Sequence, residues 1–98
     1  MTVESVLSKV SESTQIPVEV ITGHSRQRKH VEARYLAIIL IRRNLRLSQS
    51  EIAPLFDIDR TSVYHAIKTV KNWLDVDTNL KEQLNRMEVE LEIADCIV

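Results

Sequence analysis

Four consecutive polar residues, Asp59-Arg60-Thr61-Ser62, begin the stretch DRTSVYHAIKTVKNWL, directly before an apolar-periodic run. A helix start needs only one capping side chain, and Asp59 is the natural N-cap here, although it could also accept from a cytosine amino group. The other three side chains can hydrogen-bond to phosphate oxygens or base edges. Arg60 suits the O6 and N7 atoms of guanine, and the Thr61 methyl group suits a thymine methyl group. The tip of this helix is therefore predicted to contact an external polar partner.

The preceding segment, SQSEIAPLF, predicts a second helix close to the first. Ser48 and Glu51 have the spacing of a capping box, and Pro54 removes a helical hydrogen bond, so this helix should be short or kinked. The turn DID then leads to Asp59. This layout is typical of a helix-turn-helix, whose second helix lies in the major groove of DNA. The pattern alone leaves open a capped surface helix with solvated polar residues.

A basic cluster, HSRQRKHVEAR at residues 24–34, comes before the longest apolar run. Basic arms of this kind can enter a minor groove. The alternative interpretation is a run of solvated charges. Further cations along the chain make this alternative less favourable, because they can extend the cluster into one positive surface. These cations are Arg42, Arg43, Arg46, Lys68 and Lys71.

The formal net charge of −1 hides a strong segregation of charge along the 98 residues. Residues 22–72 carry ten Lys and Arg against four acidic residues, a balance of +6. The flanking residues 1–21 and 73–98 have balances of −2 and −5. A basic middle between acidic ends indicates the partner better than the sum does.

The remaining segments predict a single all-α domain. With one Gly and two Pro, the chain has too few turn formers for a sheet with many hairpins. We expect a first helix that ends near Ser13 and a short helix of about two turns between Pro17 and Gly23. The run YLAIILI predicts a long buried helix, although its isoleucines would also tolerate a strand.

An acidic C-terminal helix is predicted by apolar residues at a/d spacing, namely Leu80, Leu84, Met87, Leu91 and Ala94. Because this pattern lasts only about two heptads, it leaves open a homodimer seam or a stripe packed on the same chain. We therefore divide the chain into a DNA-binding domain, residues 1–74, and an acidic helical extension, residues 75–98.

Several function classes are not supported by the residues. The chain has no G-x-x-x-x-G-K-[ST] phosphate loop and no His or Cys at metal-ligand spacing, so we expect no nucleotide, cofactor or metal. Cys96 and His65 are the only nucleophile and base candidates, and nothing brings them together. With no such site, we expect a protein that is not an enzyme. A lone cysteine, no recognisable signal peptide and an apolar run too short for a bilayer predict a cytoplasmic protein.

Two stretches, VEVITGHSRQRKHVEARYLAIIL and LSQSEIAPLFDIDRTSVYHAIKTV, resemble domain IV, the C-terminal DNA-binding domain of the DnaA family of chromosomal replication initiators. The resemblance covers roughly residues 3–74. It implies a Trp-repressor-like helix-turn-helix fold, here with an extra C-terminal helix. By position, Arg26 matches the family's minor-groove arginine, and residues 59–62 match its Asp-His-Thr-Thr at the major-groove helix tip. Arg34 and Tyr35 match an Arg-Gln pair, and His65 matches the His of a His-Ala pair.

The chain departs from the family pattern at base-reading positions. Arg60 replaces a His, Ser62 replaces the second Thr and Tyr35 replaces a Gln. The turn DID is one residue shorter than the family's and lacks its glycines and arginine. Because one wrong base contact typically costs ~1–3 kcal/mol, DNA binding carries over better than the DnaA-box preference does.

The sequence thus predicts sequence-specific binding of double-stranded DNA, without catalysis, in replication initiation or its regulation. A transcriptional repressor of the same architecture and a helical protein-protein interaction module are the alternatives. The phosphate contacts are expected to include Arg42 and Arg43. The remaining predicted DNA-contacting residues are Arg26, Arg28, Lys29, Arg34, Tyr35, Ser48, Asp59, Arg60, Thr61, Ser62, His65 and Lys68.

Overall fold

The computed structural model describes the backbone of residues 2–96 and the side chains of residues 2–93. That part of the chain contains six α-helices, one 3₁₀ turn and no strand, which confirms the predicted all-α class. In chain order the elements are α1 (Val3–Thr14), α2 (Val18–Ile21), α3 (Arg28–Asn44), α4 (Gln49–Ile52), the 3₁₀ turn (Ala53–Leu55), α5 (Arg60–Val76) and α6 (Thr78–Cys96).

Helix α3 is the centre of the fold, because each of the other five helices packs against it. Its residues 36–41 are all buried, so the helix is enclosed on every side along this stretch. A helix that is apolar all round is one that lies inside the core. The predicted long buried helix is confirmed, and the isoleucines do not form a strand.

Helix α1 ends at Thr14, one residue beyond the predicted end. It starts with a capping box in which Thr2 and Ser5 each accept the other's backbone N–H. Its apolar face lies against α3 and buries Val6, Leu7 and Val10.

Helix α2 is shorter than predicted, with one turn in place of about two. Pro17 lies at its N-cap position, and Thr22 ends it by donating both its N–H and its hydroxyl to the carbonyl of Val18. The Ile21 carbonyl accepts from Arg34 Nε at 2.9 Å. The donor to this carbonyl is therefore a side chain thirteen residues later, and not the backbone N–H of a further helical turn.

The helix-turn-helix begins with one turn of α4 and changes to 3₁₀ geometry at Ala53, next to Pro54, as the missing N–H predicts. A Schellman motif ends it, in which Ile58 N–H bonds to the Ala53 carbonyl at 3.1 Å and Asp57 N–H to the Pro54 carbonyl at 3.4 Å. Asp57 adopts the left-handed conformation with φ 52°. Aspartate tolerates this region better than most residues, so the turn DID forms without a glycine.

Helix α6 packs against α1, α3 and α5, and it buries its stripe, Leu84, Met87 and Leu91, in the same core. Of the two interpretations of the a/d spacing, the structure therefore shows the stripe packed on its own chain; the side chain of Ala94 lies outside the described residues. Acidic side chains of α6 also bind cations elsewhere, since Lys9 donates to Glu90 at 2.7 Å.

Candidate nucleic-acid interface

The helix tip, residues 59–62, begins α5 with the predicted cap. Asp59 Oδ1 accepts the Ser62 N–H at 2.6 Å. This hydrogen bond lowers the pKa of Asp59 below its ordinary value, with a smaller contribution from His65. Asp59 alone supplies the cap. The side chains of Arg60, Thr61 and Ser62 in the first turn are therefore not needed for capping, and all three are exposed.

The basic loop, residues 22–27, lies beside the turn that precedes this tip. His24 Nε2 is 3.1 Å from Asp57 Oδ2, which joins the loop to the helix-turn-helix. Arg26 is exposed, two residues after His24. The structure therefore places the loop that carries Arg26 beside the turn that precedes the predicted major-groove residues.

Arg34 does not have the environment predicted for a DNA-contacting residue. It is 8% exposed, and it is the only buried charged or polar residue in the part of the chain with described side chains. Its Nε donates to the Ile21 carbonyl at 2.9 Å and its Nη2 to the Ser25 carbonyl at 3.0 Å. Burial lowers the pKa of the guanidinium group. These two nitrogens are directed at backbone carbonyls inside the protein.

Tyr35 and Arg28 lie in an aromatic cluster that the sequence reasoning did not anticipate. The rings of Tyr35 and Trp73 stack with centroids 5.6 Å apart, and Arg28 Cζ lies 5.1 Å from the Trp73 ring centroid. Arg28 Nε also donates to Glu32 at 2.9 Å. Trp73 thereby joins the C-terminal part of α5 to α3.

A basic groove lies between the C-terminal part of α3, the start of α4 and the outer side of α5. It encloses about 300 Å³. The structure here brings together the predicted cations Arg42, Lys68 and Lys71, and it adds two residues that the sequence reasoning missed, Gln49 and Tyr64. No sequence pattern indicates this, because Gln49 and Tyr64 lie on different helices and only the folded chain brings them together.

The other predicted cations lie elsewhere. Lys29 lines a separate cavity with residues of α1 and α6, including Ser13 and Gln83. Arg43 Nη2 is 3.3 Å from Glu88 Oε1, and the second oxygen of Glu88 accepts from Asn44 at 2.9 Å. The acidic helix α6 thus holds one cation of the predicted positive surface, at the end of α3.

Two further predicted residues have clear local environments. Ser48 and Glu51 form the predicted capping box, with each side chain accepting the other's backbone N–H at 3.2 and 3.0 Å. His65 is exposed on α5, and its ring meets the exposed Tyr64 ring edge-on with centroids 5.6 Å apart.

Metal binding and membrane insertion find no support among the described residues. No group of three His, Cys, Asp or Glu side chains there could hold a metal ion. No helix found in residues 2–96 is both long and apolar enough to cross a membrane. The side chain of Cys96, the lone thiol, lies outside the described residues.

Comparison with known proteins gives matches over most of the chain. The model of the bacterial DnaA protein helix-turn-helix family matches residues 3–70. The chromosomal replication initiator protein DnaA of Bacteroides thetaiotaomicron is 30% identical over 89 residues, which are 90% of this chain and 19% of that protein. DnaA of Flavobacterium psychrophilum is 29% identical over 94 residues, 95% of this chain and 20% of its own length. DnaA 2 of Chlamydia pneumoniae is 31% identical over 85 residues, 87% and 19% of the two chains. This chain thus spans about a fifth of the length of these relatives.

Proposed function

The chain belongs to the bacterial DnaA helix-turn-helix family, and from this membership we propose that it binds double-stranded DNA sequence-specifically in replication initiation or its regulation. The helix-turn-helix is a DNA-binding unit and not an enzyme. In the proposed complex the helix tip enters the major groove and the basic loop enters the adjacent minor groove. Binding to chromosomal DNA would place the protein in the bacterial cytoplasm.

The observation that carries the proposal is the contact between the basic loop and the helix-turn-helix. His24 and Asp57 lie 3.1 Å apart, and each is two residues from a proposed DNA-binding position, Arg26 and Asp59. Both positions are exposed. Adjacent grooves of one duplex require two such elements at a short, constant separation.

Base contacts are assigned to the helix tip. Arg60 would form a bidentate pair with guanine, while Thr61 and Ser62 would contact base edges or phosphate oxygens. His65, one turn later on α5, would face the same groove. Since Arg60 replaces the family's His, we propose that the preferred site differs from the DnaA box at that base pair.

Phosphate contacts are assigned mainly to the basic groove. The basic groove lies along α5, the helix that begins with the helix tip, and it is lined by Arg42, Lys68 and Lys71. A single phosphodiester strand could therefore contact all three cations. Arg28 would join them, because its pair with Glu32 is exposed and such pairs contribute only about 0–1 kcal/mol.

The acidic helix α6 is proposed as an extension of the DNA-binding unit, residues 1–74, that does not contact DNA. A homodimer through α6 is a second candidate, supported by one observation. The outer face of α6 exposes Val89 and Ile93, each 53% accessible, after the a/d stripe has been buried. Sedimentation at high concentration tests this dimer: the native chain should be dimeric and the Val89→Glu variant monomeric. A monomeric native chain, or a variant that remains dimeric, would exclude the dimer through α6.

The experiment that tests DNA binding is selection of bound duplexes from a random pool. We expect a defined consensus, and we expect Arg60→Ala to lose preference at one base pair, by about 1–3 kcal/mol. A consensus unlike any origin sequence would favour the transcriptional repressor. No enrichment at all would contradict the proposal and favour the protein-protein interaction module.

A further inference from the structure

The buried arginine of α3 has a function that its matching position in the family pattern does not reveal. We infer that Arg34 is a positioning residue, which holds the basic loop in place so that Arg26 is presented to the minor groove. The inference rests on the proposed function, and it deepens it by replacing a direct contact with an indirect one.

The hydrogen bonds of Arg34 go to the end of α2, directly before the loop, and to Ser25 within the loop. Nε bonds to the carbonyl of Ile21, and Nη2 bonds to that of Ser25 at 3.0 Å and, more weakly, to that of Val20 at 3.5 Å. Of the last two carbonyls of α2, that of Val20 also accepts the Gly23 N–H at 3.2 Å, whereas that of Ile21 accepts no backbone N–H of the described residues. The planar guanidinium group bonds to the Ile21 and Ser25 carbonyls at once, which a lysine ammonium group cannot do with the same geometry.

The loop has no buried side chain of its own. All of residues 22–27 are exposed or half-buried, so none contributes a buried apolar side chain to the core. Thr22 and Gly23, at its start, bond back to the carbonyls of α2. Among the described residues, its middle part has only side-chain contacts besides those of Arg34. Ser25 Oγ lies 2.7 Å from His30 Nδ1 and accepts the Gln27 N–H at 3.3 Å, and His24 lies 3.1 Å from Asp57. The contact of His24 is exposed, whereas the bonds of Arg34 are the ones that involve a buried charged group and are therefore the stronger ones.

The consequence concerns how the two arginines depend on each other. Arg34 is 8% exposed and gives two of its three nitrogens to backbone carbonyls, so the inferred effect on DNA passes through the loop. A direct contact of the third nitrogen, Nη1, with DNA would instead give equal losses with and without Arg26. The exposed loop residue suited to a minor groove is Arg26. Loss of the Arg34 bonds should therefore matter only while Arg26 is present.

A double-mutant cycle tests this dependence with the selected duplex. We expect Arg34→Lys to weaken binding about tenfold in the native chain, because several charge-assisted hydrogen bonds are lost. In an Arg26→Ala background the same change should weaken binding less than about twofold. Arg42→Lys is the matched control, since Arg42 lies on the same helix and donates to the carbonyl of Leu47, outside the loop. Its effect should be the same in both backgrounds.

Limited trypsin cleavage of the Arg26–Gln27 bond, without DNA, measures the loop directly. We expect Arg34→Lys to be cut faster than the native chain, at unchanged helical circular dichroism. An equal loss of affinity in both backgrounds, or unchanged cleavage, would overturn the inference. If Arg26→Ala alone leaves binding unchanged, the proposed minor-groove contact fails, while the cleavage result still decides whether Arg34 orders the loop. If both Arg34→Lys and Arg34→Met fail to fold, Arg34 supports the whole domain and the local role is wrong.

Discussion

His24 Nε2 lies 3.1 Å from Asp57 Oδ2, and this contact joins a loop before α3 to the turn before α5. Asp57 has a second property, its left-handed backbone with φ 52°, which closes the Schellman motif of the helix-turn-helix. One residue therefore sets the turn through its backbone and the loop through its side chain.

These two properties of Asp57 can be separated by substitution. Glycine adopts φ 52° without strain, so Asp57→Gly should keep the free energy of unfolding within about 1 kcal/mol of the native value. Asp57→Val should lower it by about 1–3 kcal/mol, because a β-branched residue is strained there. Urea unfolding measures both, and equal stability of the two variants would contradict the role of the backbone.

The side chain of Asp57 should matter for DNA binding and little for stability. An exposed polar contact of this kind contributes about 0–1 kcal/mol, so Asp57→Gly and the matched His24→Ala should each weaken binding by up to about fivefold. The double variant should lose no more than either single one, because both remove the same contact. Losses that multiply in the double variant would show that the two residues act separately.

Acid should weaken the start of α5 through its cap. The hydrogen bond from Ser62 lowers the pKa of Asp59 in the folded state, so its stabilisation is present above the ordinary Asp range and is lost as the pH falls through that lowered pKa. Asparagine also caps helices but does not titrate. We expect thermal unfolding midpoints at pH 6 and pH 3 to differ less in Asp59→Asn than in the native chain. An equal shift in both would assign the acid sensitivity to other groups, such as Glu90, whose pKa is lowered by Lys9.

A phosphate contact and a base contact should differ in their response to salt and sequence. Lys68→Ala should weaken binding by a similar factor on every duplex and should reduce the slope of log affinity against log salt by about 0.9. Lys81, an exposed cation on α6 outside the groove, provides the control Lys81→Ala, for which the slope should not change. A slope unchanged in Lys68→Ala would remove Lys68 from the phosphate contacts.

The stack of Tyr35 on Trp73 should stabilise the packing of α5 on α3. Trp73→Ala should lower the free energy of unfolding by about 2 kcal/mol, since it removes a half-buried aromatic ring and the stack of that ring on Tyr35. Trp73→Phe, which keeps a ring in place, should recover more than half of that loss. Chemical denaturation followed by circular dichroism compares them, and equal losses would mean that the stacking contributes nothing.

The elements that the sequence predicted well depend on residues close together in the chain. The Ser48–Glu51 capping box, the break at Pro54 and the Asp59 cap each involve residues at most three positions apart. The same holds for α3, whose unbroken apolar run leaves few alternatives to a buried helix. The single turn of α2 differs from the two turns predicted. Its last carbonyl, that of Ile21, accepts from Arg34, thirteen residues later in the chain, and no local pattern encodes that contact.

The parts that could not be predicted depend on contacts between distant residues. Arg34 looks like one more cation of a basic cluster, and only the folded chain shows that its guanidinium group lies inside. Likewise Arg43 and Glu88, or Tyr35 and Trp73, meet across helices, and no local pattern encodes such pairs. The predicted charge segregation was a property of composition, whereas the groove is a property of packing.

Helix α3 carries Arg34 near its middle and Arg42 near its end, eight residues later, with the buried residues 36–41 between them. At 1.5 Å and 100° per residue, this segment sets both a separation of about 12 Å and a relative rotation between the loop support and the groove. Adding or deleting one residue there would turn Arg42 by about 100° relative to Arg34 and would shift every core side chain in between. Among related chains, therefore, length variation should be tolerated in the loops at either end of α3 and absent between these two arginines.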